Sequence, residues 1–167
     1  MRGTARGDRC RLRGVRDRTD DIKRRGNVIK LRIVAGSNDG ANIVPDRMGT
    51  AQDFYVFDLF ENGSSLLVEK RADTSPEEEK GVHGDPKKLA AAADIFADCD
   101  VVLGRRGSPN FVRMRDNSRF QPVLTSVGSL SDSMSELTET FDEVYALVER
   151  RRRGERPQVI PTVGRGG

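Results

Sequence analysis

One short apolar run near the middle of the chain limits the possible folds more than any other feature. Val101-Val102-Leu103 has no polar side chain, and it is bounded by Asp98-Cys99-Asp100 on one side and Gly104 on the other. A strand that is apolar on both faces has to be covered on both faces, which happens inside a parallel or mixed sheet flanked by helices. The preceding residues supply one such helix. Asp85 suits an N-cap and Pro86 a first helical position, while Leu89, Ala92, Ala93 and Phe96 recur at i, i+3, i+4 and i+7. After the strand, Gly104-Arg105-Arg106-Gly107-Ser108-Pro109-Asn110 reads as a cationic loop. The unit is loop, helix, buried strand, loop.

The flanking sequence extends this unit in both directions. Upstream, Val28 to Ala35 alternates Ile29, Leu31 and Ile33 with Lys30 and Arg32, the mark of a half-exposed strand, and ends in the turn residues Gly36-Ser37-Asn38-Asp39-Gly40. Asp53 to Phe60 reads as a second strand. Asn62-Gly63 then suggests a type I′ hairpin, with positive φ at both residues, leading into a third strand over Ser65 to Arg71. Downstream, Ser108-Pro109 opens a helix to about Asn117 with Phe111, Val112 and Met114 inward, and Phe120 to Thr125 reads as a fifth strand, placed at an edge or strand start by Pro122. Ser133-x-x-Glu136 resembles a capping box for one last helix, whose stripe is Met134, Leu137, Phe141, Val144, Tyr145 and Val148. Gly154 can stop that helix, with Pro157 beyond it. The expectation is α/β: a mixed five-stranded sheet in the order β-β-β-α-β-α-β-α, with helices covering it.

Charge divides the chain unevenly. The first 27 residues hold ten of the 29 basic groups and four of the 26 acidic ones, so the remainder is slightly acidic. With so few apolar groups this arm is expected to be disordered. It reads as translated leader ahead of a start at Val28, as a plain disordered tail, or as a basic arm for a polyanion. The expected layout is arm 1–27, domain 28–153 and a flexible tail 154–167. No apolar run approaches the roughly 20 residues of a membrane span. Two cysteines without a CxxC pair suggest a reducing cytoplasm. The first strand has no carboxylate and only Asp58 lies inside a core strand, which argues against clustered-acid nuclease chemistry. There is no phosphate-binding GxxxxGKS and no GxGxxG after the first strand.

Three stretches, in the same order, resemble the dinitrogenase iron–molybdenum cofactor biosynthesis domain, the NifX and NifB C-terminal type. They are IVAGSNDG, RMGTAQDFYVFDL and HGDPKKLAAAADIFADCDVVLGRRGSPN. The likeness covers about Lys30 to Arg150. It implies a ribonuclease-H-like three-layer fold and a small non-catalytic protein that binds or carries an iron–molybdenum cofactor or an iron–sulfur precursor. Cluster-assembly or nitrogenase-type proteins are the implied partners. Gly49 matches the glycine of the family's "HFG" motif, whereas the motif's histidine, a cluster ligand in that reading, falls at Arg47. Arginine offers no lone pair to a metal. The alternative is therefore a cluster-free module on the same fold, recognising an anion or a protein.

Against that background His83, the only histidine, is the candidate metal ligand; a solvated loop histidine is the other reading. Arg47, Arg105 and Arg106 would form a cationic mouth with planar donors if they converge, or are ordinary loop arginines. Ser37 and Asn38, with Asp39, would lend backbone N–H groups to the same anion, or simply form a turn. Cys99, at a helix end before a buried strand, reads as a small apolar residue. Neither nucleic acid nor a membrane is the expected partner of the body of the chain.

Overall fold

A computed structural model describes residues 29–45, 51–74, 86–107 and 109–164. Six strands and four helices follow one another in these segments: β1 (Lys30–Ser37), β2 (Asp53–Phe60), β3 (Ser65–Ala72), α1 (Pro86–Ile95), β4 (Val101–Gly104), α2 (Pro109–Asn117), β5 (Gln121–Thr125), α3 (Leu130–Glu139), α4 (Phe141–Arg152) and β6 (Thr162–Val163). The strands form one mixed sheet in the order β3-β2-β1-β4-β5-β6. The β1–β2 and β2–β3 pairs are antiparallel, and the β1–β4, β4–β5 and β5–β6 pairs are parallel.

Period-two alternation sorts the strand residues into two cores. Leu31, Ile33, Ala35, Leu59, Val101, Leu103 and Val123 pack with Leu130, Met134, Leu137, Phe141, Val144 and Val148 of α3 and α4. Val34, Phe54, Val56 and Val102 face the other way, toward Phe96, Cys99, Phe111, Met114 and Phe120 around α1 and α2. Helices therefore cover both faces, and Val101, Val102 and Leu103 are fully buried, as an apolar strand in that position requires. Phe96 bridges Phe54 and Phe120 by edge-on contacts at 5.5 and 5.3 Å, the geometry that aromatic quadrupoles favour.

Four expectations need correction. The sheet has six strands, because Thr162–Val163, in the stretch read as tail, pairs with Leu124 and Thr125. β5 is consequently not an edge, and Pro122 stands instead at the strand start, the other position read for it. Pro122 is tolerated because its missing N–H points toward β6, whose pairing starts only at Leu124; Gln121 donates its side-chain amide to the Pro122 carbonyl at 2.8 Å. The last helix is two helices broken at Thr140, and the first begins not at Ser133 but after Ser129, whose hydroxyl accepts the Asp132 N–H. Ser133 is buried inside α3 and donates to the Ser129 carbonyl at 2.8 Å. The order thus becomes β-β-β-α-β-α-β-α-α-β. The hairpin is not type I′: among the described residues only glycines have positive φ, and Gly63 (φ 91°) closes a three-residue connection by donating to the Phe60 carbonyl. Asn62 stays at negative φ, its side-chain oxygen accepting the Ser64 N–H. Val112, expected inward on α2, is 42% exposed, while Phe111 and Met114 are buried.

The end of α4 follows the sequence closely. Gly154 (φ 91°) donates to the Arg151 carbonyl and Glu155 to the Arg150 carbonyl, a Schellman stop. Among the described residues no helix is long and apolar enough to cross a membrane.

Candidate functional site

The strand order creates one switch point. β1 and β4 are parallel neighbours, but the chain leaves β1 toward β2 on one side and leaves β4 toward β5 on the other. Loops that depart in opposite directions leave a crevice at the carboxyl ends of such strands, the usual ligand position in open α/β sheets. The loops after β1, β4 and β5 meet there. Ile43 donates to the Gly128 carbonyl at 2.7 Å, Leu130 donates to the Ala41 carbonyl at 2.9 Å, and Asn42 and Ser129 form an antiparallel bridge.

Arg105 follows the last residue of β4 and lies across the loop after β5. A Cβ on Gly128 would sit 3.5 Å from its Nη1 and 3.8 Å from its Cζ, so the guanidinium rests on that glycine. Arg105 and its neighbour Arg106 are both exposed at this rim. Gly104 sets the start of the loop. A Cβ there would lie 2.9 Å from the Phe111 ring, so only glycine lets α2 close against the end of β4.

Ser37 and Asn38 are at the same end, but both side chains are engaged within the loop. The buried Ser37 hydroxyl donates to the Asn42 carbonyl at 2.6 Å and accepts the Gly40 N–H at 2.9 Å. The Asn38 side-chain oxygen accepts the Gln52 N–H at 2.8 Å, tying the loop to the entry of β2. Asp39 accepts the N–H groups of Asn42 and Ala41, and these bonds hold its carboxyl well below the usual range. Gly40 (φ 78°) passes so close to Tyr55 that a Cβ would lie 2.9 Å from the phenol oxygen. The turn is thus internally satisfied. Arg47, Gly49 and His83 lie outside the described residues.

Donor chemistry at the site is cationic and amide-like. Among the described residues no three His, Cys, Asp or Glu side chains gather as a metal-binding group. Cys99 is fully buried and far along the strand from the mouth, and burial pushes its thiol up to about 12, so at neutral pH it is not a thiolate ligand. Asp58, the one carboxylate inside a core strand, is held by Lys30 at 3.0 Å and Arg32 at 2.9 Å. Arg32 also binds Asp98, which Arg71 grips from β3. Lys30, Arg32 and Asp58 of this network lie toward the amino end of β1, Arg71 reaches Asp98 from a position level with Gly36, and the carboxylates are neutralised by arginine and lysine.

Sequence reasoning overlooked the Ser126–Ser129 loop, which carries Gly128. The signal was present as Ser129-x-x-Asp132 ahead of Leu130, a second capping pattern that competes with Ser133-x-x-Glu136.

Searches among curated proteins and among solved structures return no match. A family profile described as dinitrogenase iron-molybdenum cofactor matches residues 30–140, from the first residue of β1 to the break between α3 and α4. The match spans more than half of the chain, its elements include all three loops of the mouth, and it agrees with the colinear motifs; the chain belongs to the dinitrogenase iron-molybdenum cofactor family, whose concern is the binding or biosynthesis of that cofactor.

Proposed function

We propose that this protein is a non-catalytic holder or carrier whose cargo is the iron–molybdenum cofactor or an iron–sulfur precursor of it. The observation that carries this reading is the family match over residues 30–140 onto a fold whose three mouth loops converge, with Arg105 seated on Gly128. The hairpin followed by parallel strands is the arrangement that a ribonuclease-H-like fold would have, which supports the same assignment. Metal–sulfide clusters are anionic, and arginine offers them planar N–H donors without competing for metal coordination. Arg105, Arg106 and Arg47 would supply charge and His83 the one imidazole bond to metal, with Gly49 the glycine that matches the family's motif beside Arg47. Asn38 and Ser37 serve by shaping the loop after β1. Cluster-assembly or nitrogenase-type proteins are the partners that would deliver and receive such a cargo.

The test is anaerobic titration of the full chain with an iron–molybdenum or iron–sulfur cluster donor, followed by ultraviolet–visible spectra and metal analysis. Stoichiometric uptake is expected, weakened in His83→Ala and in Arg105→Ala. A folded chain that takes up no cluster would overturn the carrier reading.

A further inference from the structure

The mouth is braced by a piece of chain that the family match does not include. After the Schellman stop at Gly154, the chain doubles back and is fastened at three points. Arg151, buried at 2% exposure, donates to the Pro157 carbonyl at 3.0 Å. Gln121 donates to the Val159 carbonyl at 3.0 Å, and Leu124 to the Pro161 carbonyl at 2.9 Å. The segment then runs into β6 beside the end of β5. There Ser126 donates its N–H to the Val163 carbonyl at 3.1 Å. Gly164 (φ 92°) lies flush on the next loop: a Cβ would be 2.6 Å from the Ser126 hydroxyl and 3.6 Å from both the Ser126 nitrogen and a Val127 methyl. Two residues on, Gly128 carries Arg105 on its α-carbon and accepts the Ile43 N–H. The contact chain therefore runs Val163–Gly164, Ser126–Val127, Gly128, then Arg105 and Ile43.

We propose that Pro157–Gly164 is a positioning strap: by clamping Ser126–Val127 it sets Gly128, and so holds Arg105 and the loop after β1 in the geometry that receives an anion. Gly164 and Ser126 are positioning residues, since neither needs to touch the cargo. The anion-binding consequence rests on the function proposed above; the mechanical coupling does not.

Amide hydrogen exchange on the full chain tests the coupling. Gly164→Ala places a methyl against the Ser126 hydroxyl at a left-handed position (φ 92°) that side chains rarely adopt, so it should lift the strap off Ser126–Val127. It should speed exchange at the Ile43 and Leu130 amides about tenfold while Val34, in the middle of β1, keeps its protection. Unchanged Ile43 and Leu130 amides, or an equal loss at Val34, would each overturn the strap. A second arm measures binding of tetrathiomolybdate, a molybdenum sulfide dianion, with about tenfold weaker binding expected in Gly164→Ala. Equal affinity despite faster exchange would also overturn the proposal. If the wild-type chain binds no tetrathiomolybdate, the cargo reading fails, and the exchange arm alone decides the strap.

Discussion

Arg151 shows how far a single residue can depart from its ordinary role. A buried guanidinium that forms no ion pair among the described residues has to be solvated largely by the protein's own dipoles. Its Nε donates to the Gln121 side-chain oxygen at 2.7 Å, and its remaining nitrogens donate to the carbonyls of Arg115, Ser118 and Pro157 at 3.0, 2.9 and 3.0 Å. Burial lowers its pKa to about 10, which still leaves it a cation at neutral pH. Arg151→Met should cost ~3 kcal/mol in urea unfolding, because several buried acceptors lose their donor at once. Arg151→Lys should recover little, since an ammonium cannot reach acceptors spread across a planar fork. Gly104→Ala should cost ~1–3 kcal/mol, read as a lower urea midpoint, as its methyl would press into the Phe111 ring. Cys99 should resist alkylation in the native state, and its labelling, followed by peptide mass spectrometry, should track global unfolding. The apolar reading of Cys99 came from its place before a buried strand. Nothing in the composition marked Arg151 among its three neighbouring arginines, because its burial depends on where the chain goes after Gly154.

At the level of elements, local chemistry marked most beginnings and ends, and errors arose where two local signals competed. Ser129 and Ser133 both precede an acidic residue by three positions, and only the bridge between Asn42 and Ser129 fixes the start of α3 at the earlier one. Ser129→Ala should lower helix stability by ~1 kcal/mol, seen as a drop in the calorimetric midpoint. The 3.6-residue stripe runs through Thr140 because the break costs no register: both helices still point Leu137, Phe141 and Val144 at one core. The hairpin connection kept its glycine but changed its type, since the Asn62 side chain bonds forward to Ser64 and keeps that residue out of the left-handed region. β3 is an edge strand with Leu66 and Leu67 about half exposed; a register shift between Val56 and Phe57, together with Glu69, Lys70 and Arg71, makes that edge a poor template for further pairing.

Taken as a whole, the sheet separates two poles. Toward the amino end of β1, Asp58 and Asp98 are locked by Lys30 and Arg32, with Arg71 reaching Asp98 from β3. Burial works against ionisation of Asp58, but hydrogen bonds from Arg32 and Lys30 outweigh it and leave the carboxyl below its usual range; Arg71 lowers that of Asp98 in the same direction. A carboxyl whose folded pKa is depressed stabilises the fold fully above its unfolded value, near 4, and loses that contribution as pH falls through the folded value. The protein should therefore unfold on acidification below about pH 4, and Asp58→Asn should flatten that acid limb in circular-dichroism melts while lowering stability at pH 7. At the carboxyl end lies the mouth, with Arg105 exposed. The sequence alone determined the class of the fold, the helical cover of the sheet, the crossover around Val101–Leu103 and the family, because all of these depend on periodicity and short motifs carried within a few residues. Only the tertiary structure decided the sixth strand, the burial of Arg151 and the seating of Arg105 on Gly128. Each of these joins residues distant in the chain through hydrogen bonds or close backbone approach, and such pairings exist only once the strands have chosen their neighbours.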